Sequence, residues 1–221
     1  MITEIVNFEN GRLQTPTAPT YKCSIFGSYI NNINLDALST LILEKEKEIT
    51  SLDLPENMIS SGYTGLGPKA LTSRNKAFNV LLWDHPEIHK LKQEIRYFYN
   101  LSSEYFGFEE EEKVFIKCWA NVLRKGEKMD VHRHSGDTDD SFLSGHFTVR
   151  CADTQTVYQN PYSDVLHNPE YYYFNNQPGR ISIFNSHIYH YTTEHKSDAE
   201  RITIAFDLFY RHMPVGNTIQ L

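Results

Sequence analysis

Cysteine is scarce in this 221-residue chain: Cys23, Cys118 and Cys151 are an odd number at wide, irregular spacing. That excludes a disulfide framework and a cysteine-type zinc site as organising features, and the three read as reduced thiols. Long apolar runs are missing too, with nothing near the ~20 residues that cross a bilayer. The first residues, Met1-Ile-Thr-Glu-Ile-Val-Asn-Phe8, lack the basic and apolar regions of a secretory signal. Positive charge is in short supply, since 21 Lys and Arg stand against 28 Asp and Glu for a formal charge of −7. Nucleic-acid affinity rests on clustered cations, so nucleic acid is disfavoured as a partner, and the acidic balance favours a basic or zwitterionic target. The expectation is a soluble cytoplasmic protein with no membrane partner.

The composition present is that of an ordinary globular chain, 40% hydrophobic, 22% charged and 13% aromatic. At this length folding buries about 70% of the unfolded surface, which suits one domain without staples. Two helix patterns occupy the first half. Asn34 is placed to cap a helix with Leu35, Leu38, Leu41, Ile42 and Ile49 on one stripe, and the run Glu44-Lys45-Glu46-Lys47-Glu48 reads as its solvated face. Pro86 fits the first turn of a second helix, with Ile88, Leu91, Ile95, Phe98 and Tyr105 on its apolar side and Gly107 at its end. Between them, the glycine-containing stretch 60–74 lacks the Gly-Lys-Ser/Thr ending of a phosphate loop and reads as an ordered loop over a pocket.

From about residue 113 the pattern turns to period two or short apolar runs: 114–123, 142–149, 156–159, 171–174, 180–184, 188–192 and 202–210. Short strands without intervening helices suggest an antiparallel sandwich or barrel. The expected fold is therefore mainly β with flanking helices, a double-stranded β-helix (jelly-roll, cupin-like) core over 113–221. Residues 1–112 would supply helices and covering segments of the same domain.

The chain has ten histidines, and their placement carries the chemistry. His132 and His134 stand at i and i+2, which on extended backbone projects both rings to one face and lets them grip one ion. A third imidazole is available from the segment Phe184-Asn-Ser-His-Ile-Tyr-His190 on a later strand. Neutral imidazoles on one side of an ion leave the opposite positions open. The candidate ligands are His132, His134 and His190, with Asp137 a substitute if the strand ends at His132. Eleven residues beyond His190, Arg201, Thr203 and Ala205 share one face of a strand. A guanidinium flanked by a hydroxyl and a small residue can receive a carboxylate bidentately. The alternative for Arg201 is an edge-strand ion pair with Glu200 or Asp198.

Other histidines take plainer readings. His187 faces away from His190 on a regular strand, and His146 is an interior or pocket-lining residue. His85, His89, His167, His195 and His212 are read as solvated, and Tyr171 to Phe174 as alternating core and surface.

Trp119-Ala-Asn121, His132-x-His134, Leu143-Ser-Gly145, Gly179 with Phe184-x-Ser186-x-x-x-His190, and Glu200-Arg-Ile-Thr-Ile-Ala-Phe206 together resemble the iron(II)- and 2-oxoglutarate-dependent oxygenases. More narrowly, they are similar to a group of small bacterial and phage members in which His-x-His-Pro is followed by Ser-Gly. The resemblance spans about residues 114–210. It implies His132, His134 and His190 as ligands of Fe(II), Arg201 and Thr203 as holders of the far carboxylate of 2-oxoglutarate, and Asn121 as a contact either to those groups from behind or to the co-substrate itself. Ser135 stands where the group has Pro, and the histidine pair lacks the carboxylate of the usual His-x-Asp/Glu. Halogenases of this superfamily carry a small residue there to admit chloride, whereas an imidazole fills the space, so the resemblance implies hydroxylation of an amino acid, peptide or protein side chain. The rival readings are a cupin-like isomerase or hydrolase without 2-oxoglutarate, and a binding module whose histidines hold no metal. Because ligand imidazoles must be neutral, metal affinity is expected to fall below about pH 6.

Overall fold

A computed structural model describes residues 2–9, 22–60, 64–107, 113–134, 141–162, 170–211 and 217–221. Among the described residues, ten strands form two antiparallel sheets. The larger contains β1 (Glu4–Glu9), β2 (Lys22–Tyr29), β3 (Phe115–Leu123), β4 (Ser141–Arg150), β7 (Arg180–Asn185), β9 (Arg201–Phe209) and β10 (Ile219–Gln220), in the order β1-β2-β7-β4-β9-β3-β10. The smaller contains β5 (Gln155–Gln159), β6 (Tyr171–Asn175) and β8 (His190–Thr192), in the order β6-β5-β8. This is the double-stranded β-helix expected, mainly β with helices on one face. No described helix is long and apolar enough to cross a membrane.

Both helices form where their caps predict. Helix α1 (Leu35–Thr50) begins at Asn34, whose side chain accepts from the Ala37 amide at 3.1 Å. Helix α2 (Pro86–Phe106) has proline in its first turn and ends at Gly107, which adopts φ 70°. Their apolar sides, with Leu38, Ile42 and Ile49 from α1 and Ile88, Leu91, Ile95 and Phe98 from α2, join the outer face of the large sheet in one core. Strand alternation supplies the sheet's share: Cys118, Ala120 and Val122 from β3, Phe147 and Val149 from β4, and Ile202, Ile204, Phe206 and Leu208 from β9. A second cluster, including Phe8, Ile25, Tyr158, Phe174 and Phe184, fills one end of the space between the sheets.

Three expectations need correction. The N-terminal segment contributes strands as well as helices: β1 and β2 extend the large sheet by pairing through β7. Glu46 belongs to no solvated face, because its carboxylate is buried in a two-pronged pair with Arg124 at 3.0 and 2.8 Å. His195 is fully buried, with Nδ1 on the Thr154 hydroxyl at 2.8 Å and Nε2 on the Ala199 carbonyl at 2.6 Å. His167, His212 and Asp137 lie outside the described residues, as do residues 61–63 of the glycine-containing stretch.

Candidate metal centre

Backbone pairing brings the three candidate histidines together. His132 and His190 form an isolated antiparallel bridge, exchanging amide-to-carbonyl bonds of 3.0 and 2.9 Å, and the His134 amide donates to the Ser186 carbonyl at 3.0 Å. The rings then converge, with centroids 4.4 Å (132 to 190), 5.0 Å (134 to 190) and 5.4 Å (132 to 134) apart. One ligand atom from each lies within 4.8 Å of the others.

Each Nδ1 already has a partner: the Asp130 carbonyl for His132 at 2.7 Å, Asp207 Oδ1 for His134 at 2.6 Å, and the Ile188 carbonyl for His190 at 3.0 Å. All three partners are acceptors, so the tautomer they select in a neutral ring has its proton on Nδ1 and its lone pair on Nε2. That tautomer is the one a metal needs, and partners of this kind orient and strengthen imidazole ligands. Desolvation, aided by the neighbouring His134, pushes His132 down to about 4, and burial holds His190 well below the ordinary imidazole range. For these two rings, proton competition begins lower than the pH of about 6 read from an ordinary histidine.

Asp207 is the functional residue that motif reading passed over. On the inner face of β9 its carboxylate accepts from His134 and, at 2.6 Å, from the Ser144 hydroxyl, which in turn shares a 2.8 Å bond with Ser186. The signal available was strand parity, since Asp207 continues the face of Arg201, Thr203 and Ala205. The Leu143-Ser-Gly145 stretch has a double use. Ser144 steadies Asp207, while a β-carbon at Gly145 would lie 2.3 Å from both the Phe206 ring and the Ser182 carbonyl.

The histidines line a cavity of about 670 Å³ between the sheets. Arg201, Thr203 and Asn121 line it too, and so does the 60–74 stretch through Ser60, Thr64 and Thr72. Asn121 and Thr203 are register partners across β3 and β9, joined by a 3.4 Å bond. Arg201 is 2% exposed and donates to Thr203 Oγ1 at 3.4 Å, while its Nε–H has no acceptor. Neither expected acid partner serves it, since Glu200 pairs with Arg150 at 3.1 Å and Asp198 with Lys125 at 2.8 Å. Burial pushes the guanidinium down to about 10, so it stays a cation at neutral pH. Thr148 Oγ1 and Asn121 Oδ1, on either side of Thr203, also lack partners among the described residues. A buried cation beside unfilled hydrogen-bonding groups fits a carboxylate ligand, and three imidazole Nε2 atoms fit a divalent transition metal. His146 lines the same cavity, and burial, reinforced by Arg201 and Arg180, pushes it down to about 3. His187 is not part of the imidazole cluster.

Residues 117–207 match a family model described as putative 2OG-Fe(II) oxygenase. Over that span, less than half of the chain, the sequence is similar to the iron(II)/2-oxoglutarate oxygenases. Among solved structures, a prolyl-4-hydroxylase from Pseudomonas putida aligns at 13% identity and a TM-score of 0.50, over 84% of this chain and 93% of that one. The α-ketoglutarate-dependent carbocyclase SnoK of nogalamycin biosynthesis aligns at 9% identity and a TM-score of 0.51, over 83% and 78%. An oxidoreductase of the 2OG-Fe(II) oxygenase family from Burkholderia pseudomallei aligns at 18% identity and a TM-score of 0.42, and the chain spans about half of it, 52%. At these identities the likeness to the first two shows a shared fold. No curated protein matches the chain.

Proposed function

We propose that this protein is a non-haem iron(II)- and 2-oxoglutarate-dependent dioxygenase that hydroxylates an unactivated C–H of an amino acid, peptide or protein side chain. The observation that carries the reading is Arg201, a buried cation beside Cys151 that no carboxylate among the described residues pairs with, in the same cavity as three converging imidazoles. When bound, iron(II) and 2-oxoglutarate supply the oxidising chemistry, in which one atom of O₂ ends in succinate, released with CO₂, and the other becomes the product hydroxyl.

The chain's own part is binding and orientation. His132, His134 and His190 would hold the metal through Nε2, and Asp207, with the carbonyls of Asp130 and Ile188, fixes the tautomers by accepting from Nδ1. Arg201 and Thr203 would receive the far carboxylate of 2-oxoglutarate, with Asn121 beside them, in a pocket dry enough to strengthen that pairing. Trp119, its ring 5.4 Å from His134, walls the space beside the metal centre.

Metal-dependent succinate release from 2-oxoglutarate, stimulated by a member of a panel of amino acids and peptides, tests the proposal. Arg201→Met should end that release while metal is still bound. The cupin-like alternative, an isomerase or hydrolase, predicts metal-dependent activity indifferent to 2-oxoglutarate and to Arg201.

A further inference from the structure

Arg201 faces the cavity on one side and a thiol on another. Strand β4 ends at Arg150, which stands opposite Ile202 across a register shift, so Cys151 leaves the strand opposite Arg201. Its sulfur lies beside the guanidinium. Arg150 and Glu200, the residues just before each of these, pair at 3.1 Å and hold the two segments together. The Cys151 thiol donates to the Thr154 carbonyl at 3.5 Å, so what the sulfur offers the guanidinium is its lone pairs.

This thiol differs from the other two. Cys23 and Cys118 are buried, and burial pushes both thiols up, to about 11 for Cys23, so neither supplies a thiolate near neutral pH. Cys151 is part-exposed. Its neighbour is also short of acceptors, for Arg201 is 2% exposed and its Nε–H has none among the described residues. The acids nearest in sequence are turned elsewhere: Asp153 Oδ1 lies 3.2 Å from His195 Nδ1, and Glu200 is held by Arg150. Cys151 thus links solvent to the flank of a buried cation that has room for another oxygen.

We infer that Cys151 is an oxidation site for a peroxide, and that oxygen added to its sulfur takes up Arg201 and so closes the carboxylate site of the co-substrate. In the first step the thiolate sulfur attacks the peroxide. An S–O bond forms as the O–O bond breaks, and sulfur gives up an electron pair. The other oxygen leaves as hydroxide and takes the thiol proton to become water. A second peroxide adds oxygen in the same way, and the sulfinic acid formed loses its proton at neutral pH. Sulfenic acid gives Arg201 an oxygen acceptor, and sulfinate gives it an anion whose oxygens suit the guanidinium fork. Thiols reverse the first product and not the second, so mild oxidation is a switch and further oxidation a lasting closure. The closing of the carboxylate site rests on the oxygenase reading, whereas the oxidation and the pairing with Arg201 rest on the geometry.

The test treats the full chain with hydrogen peroxide, stripped of metal so that no bound iron consumes the oxidant, removes the peroxide, and compares treated with untreated protein. Peptide masses should show added oxygen on Cys151, with dimedone trapping the sulfenic acid, and none on Cys23 or Cys118. Oxidation should move the unfolding midpoint of wild type to higher denaturant relative to its effect on Arg201→Met, since only wild type has a buried cation for the new oxygens. After metal loading without oxygen, calorimetric 2-oxoglutarate affinity should fall about tenfold or more, the worth of a hydrogen bond to a charged group. Cys151→Ser should keep its affinity through the same treatment. Cys151 modified no faster than Cys23 and Cys118 would overturn the inference. So would an equal midpoint shift in wild type and Arg201→Met, an affinity that oxidation of Cys151 leaves unchanged, or a loss of affinity as large in Cys151→Ser. Untreated wild type that binds no 2-oxoglutarate, with Cys151 oxidised and the midpoint shift confined to wild type, keeps the pairing and loses the oxygenase reading.

Discussion

The two faces of β3 and β9 make different use of the same strands. Outward, Cys118, Ala120, Ile202, Ile204, Phe206 and Leu208 are wholly buried under the helices, and none carries a charge. Inward, one residue along, stand Lys117, Trp119, Asn121, Arg201, Thr203 and Asp207, polar or ionisable but for the indole. The outer face is what apolar burial demands of a stable sheet. The inner face runs against stability, since a buried guanidinium without an acid and unfilled polar atoms beside it cost free energy unless a ligand compensates. A fold that keeps such groups on one face only marks that face as the one that binds.

Substitutions on the two faces should therefore separate stability from ligand binding. The largest effect belongs outside: Phe206→Ala should cost about 4 kcal/mol in denaturant unfolding, as truncations of buried aromatics do. Arg201→Met is the inner counterpart. It should lower 2-oxoglutarate affinity by about 100-fold or more, near 3 kcal/mol, while leaving unfolding stability unchanged or higher, because it removes a buried charge. If Arg201→Met instead unfolds the protein as readily as Phe206→Ala, the division between the faces is wrong. Asp207→Asn sharpens the comparison, with metal affinity reduced about tenfold, or more, through the weaker hold on His134.

A pH-dependent effect follows from His146, which lies on the inner face and is not among the three candidate ligands. Its folded pKa of about 3 lies below the ~6.5 of an unfolded histidine. Between those values the unfolded chain binds more protons, so the contribution is fully present above pH 6.5 and is lost as pH falls toward 3, about 2 kcal/mol by pH 5. Comparing unfolding of the metal-free protein at pH 7 and pH 5 reads this, and His146→Gln should shrink the difference.

How far the sequence could be read follows the same division. The helix cap at Asn34 and the first-turn proline at Pro86, and the strand alternation from residue 115 on, were legible because local chemistry decides them. So was the meeting of His132, His134 and His190 as a candidate, since extended backbone aims i and i+2 one way and a jelly roll can return a later strand alongside. Strand β2 was not legible, for Lys22–Tyr29 is buried on both faces and shows no alternation. Glu46 looked like one more charge in a solvated run, and only the fold brings Arg124 to it across 78 positions. Asp207 was hidden for the same reason, its link to His134 spanning 73 residues. The chain's net acidity said nothing of Lys76, Lys117, Arg133 and Arg201, which all line its cavity, because charge summed over a sequence carries no geometry.

In the proposed arrangement three imidazole Nε2 atoms hold one metal and Arg201 anchors a dicarboxylate beside it. Oxygen-free calorimetric titration of iron(II), then 2-oxoglutarate, into wild type, His190→Ala and Arg201→Met tests it most directly. The expected result is one metal per chain in wild type and Arg201→Met, none held tightly by His190→Ala, and strong 2-oxoglutarate binding by the metal-loaded wild type alone. Stoichiometric iron in His190→Ala, or undiminished 2-oxoglutarate affinity in Arg201→Met, would contradict it.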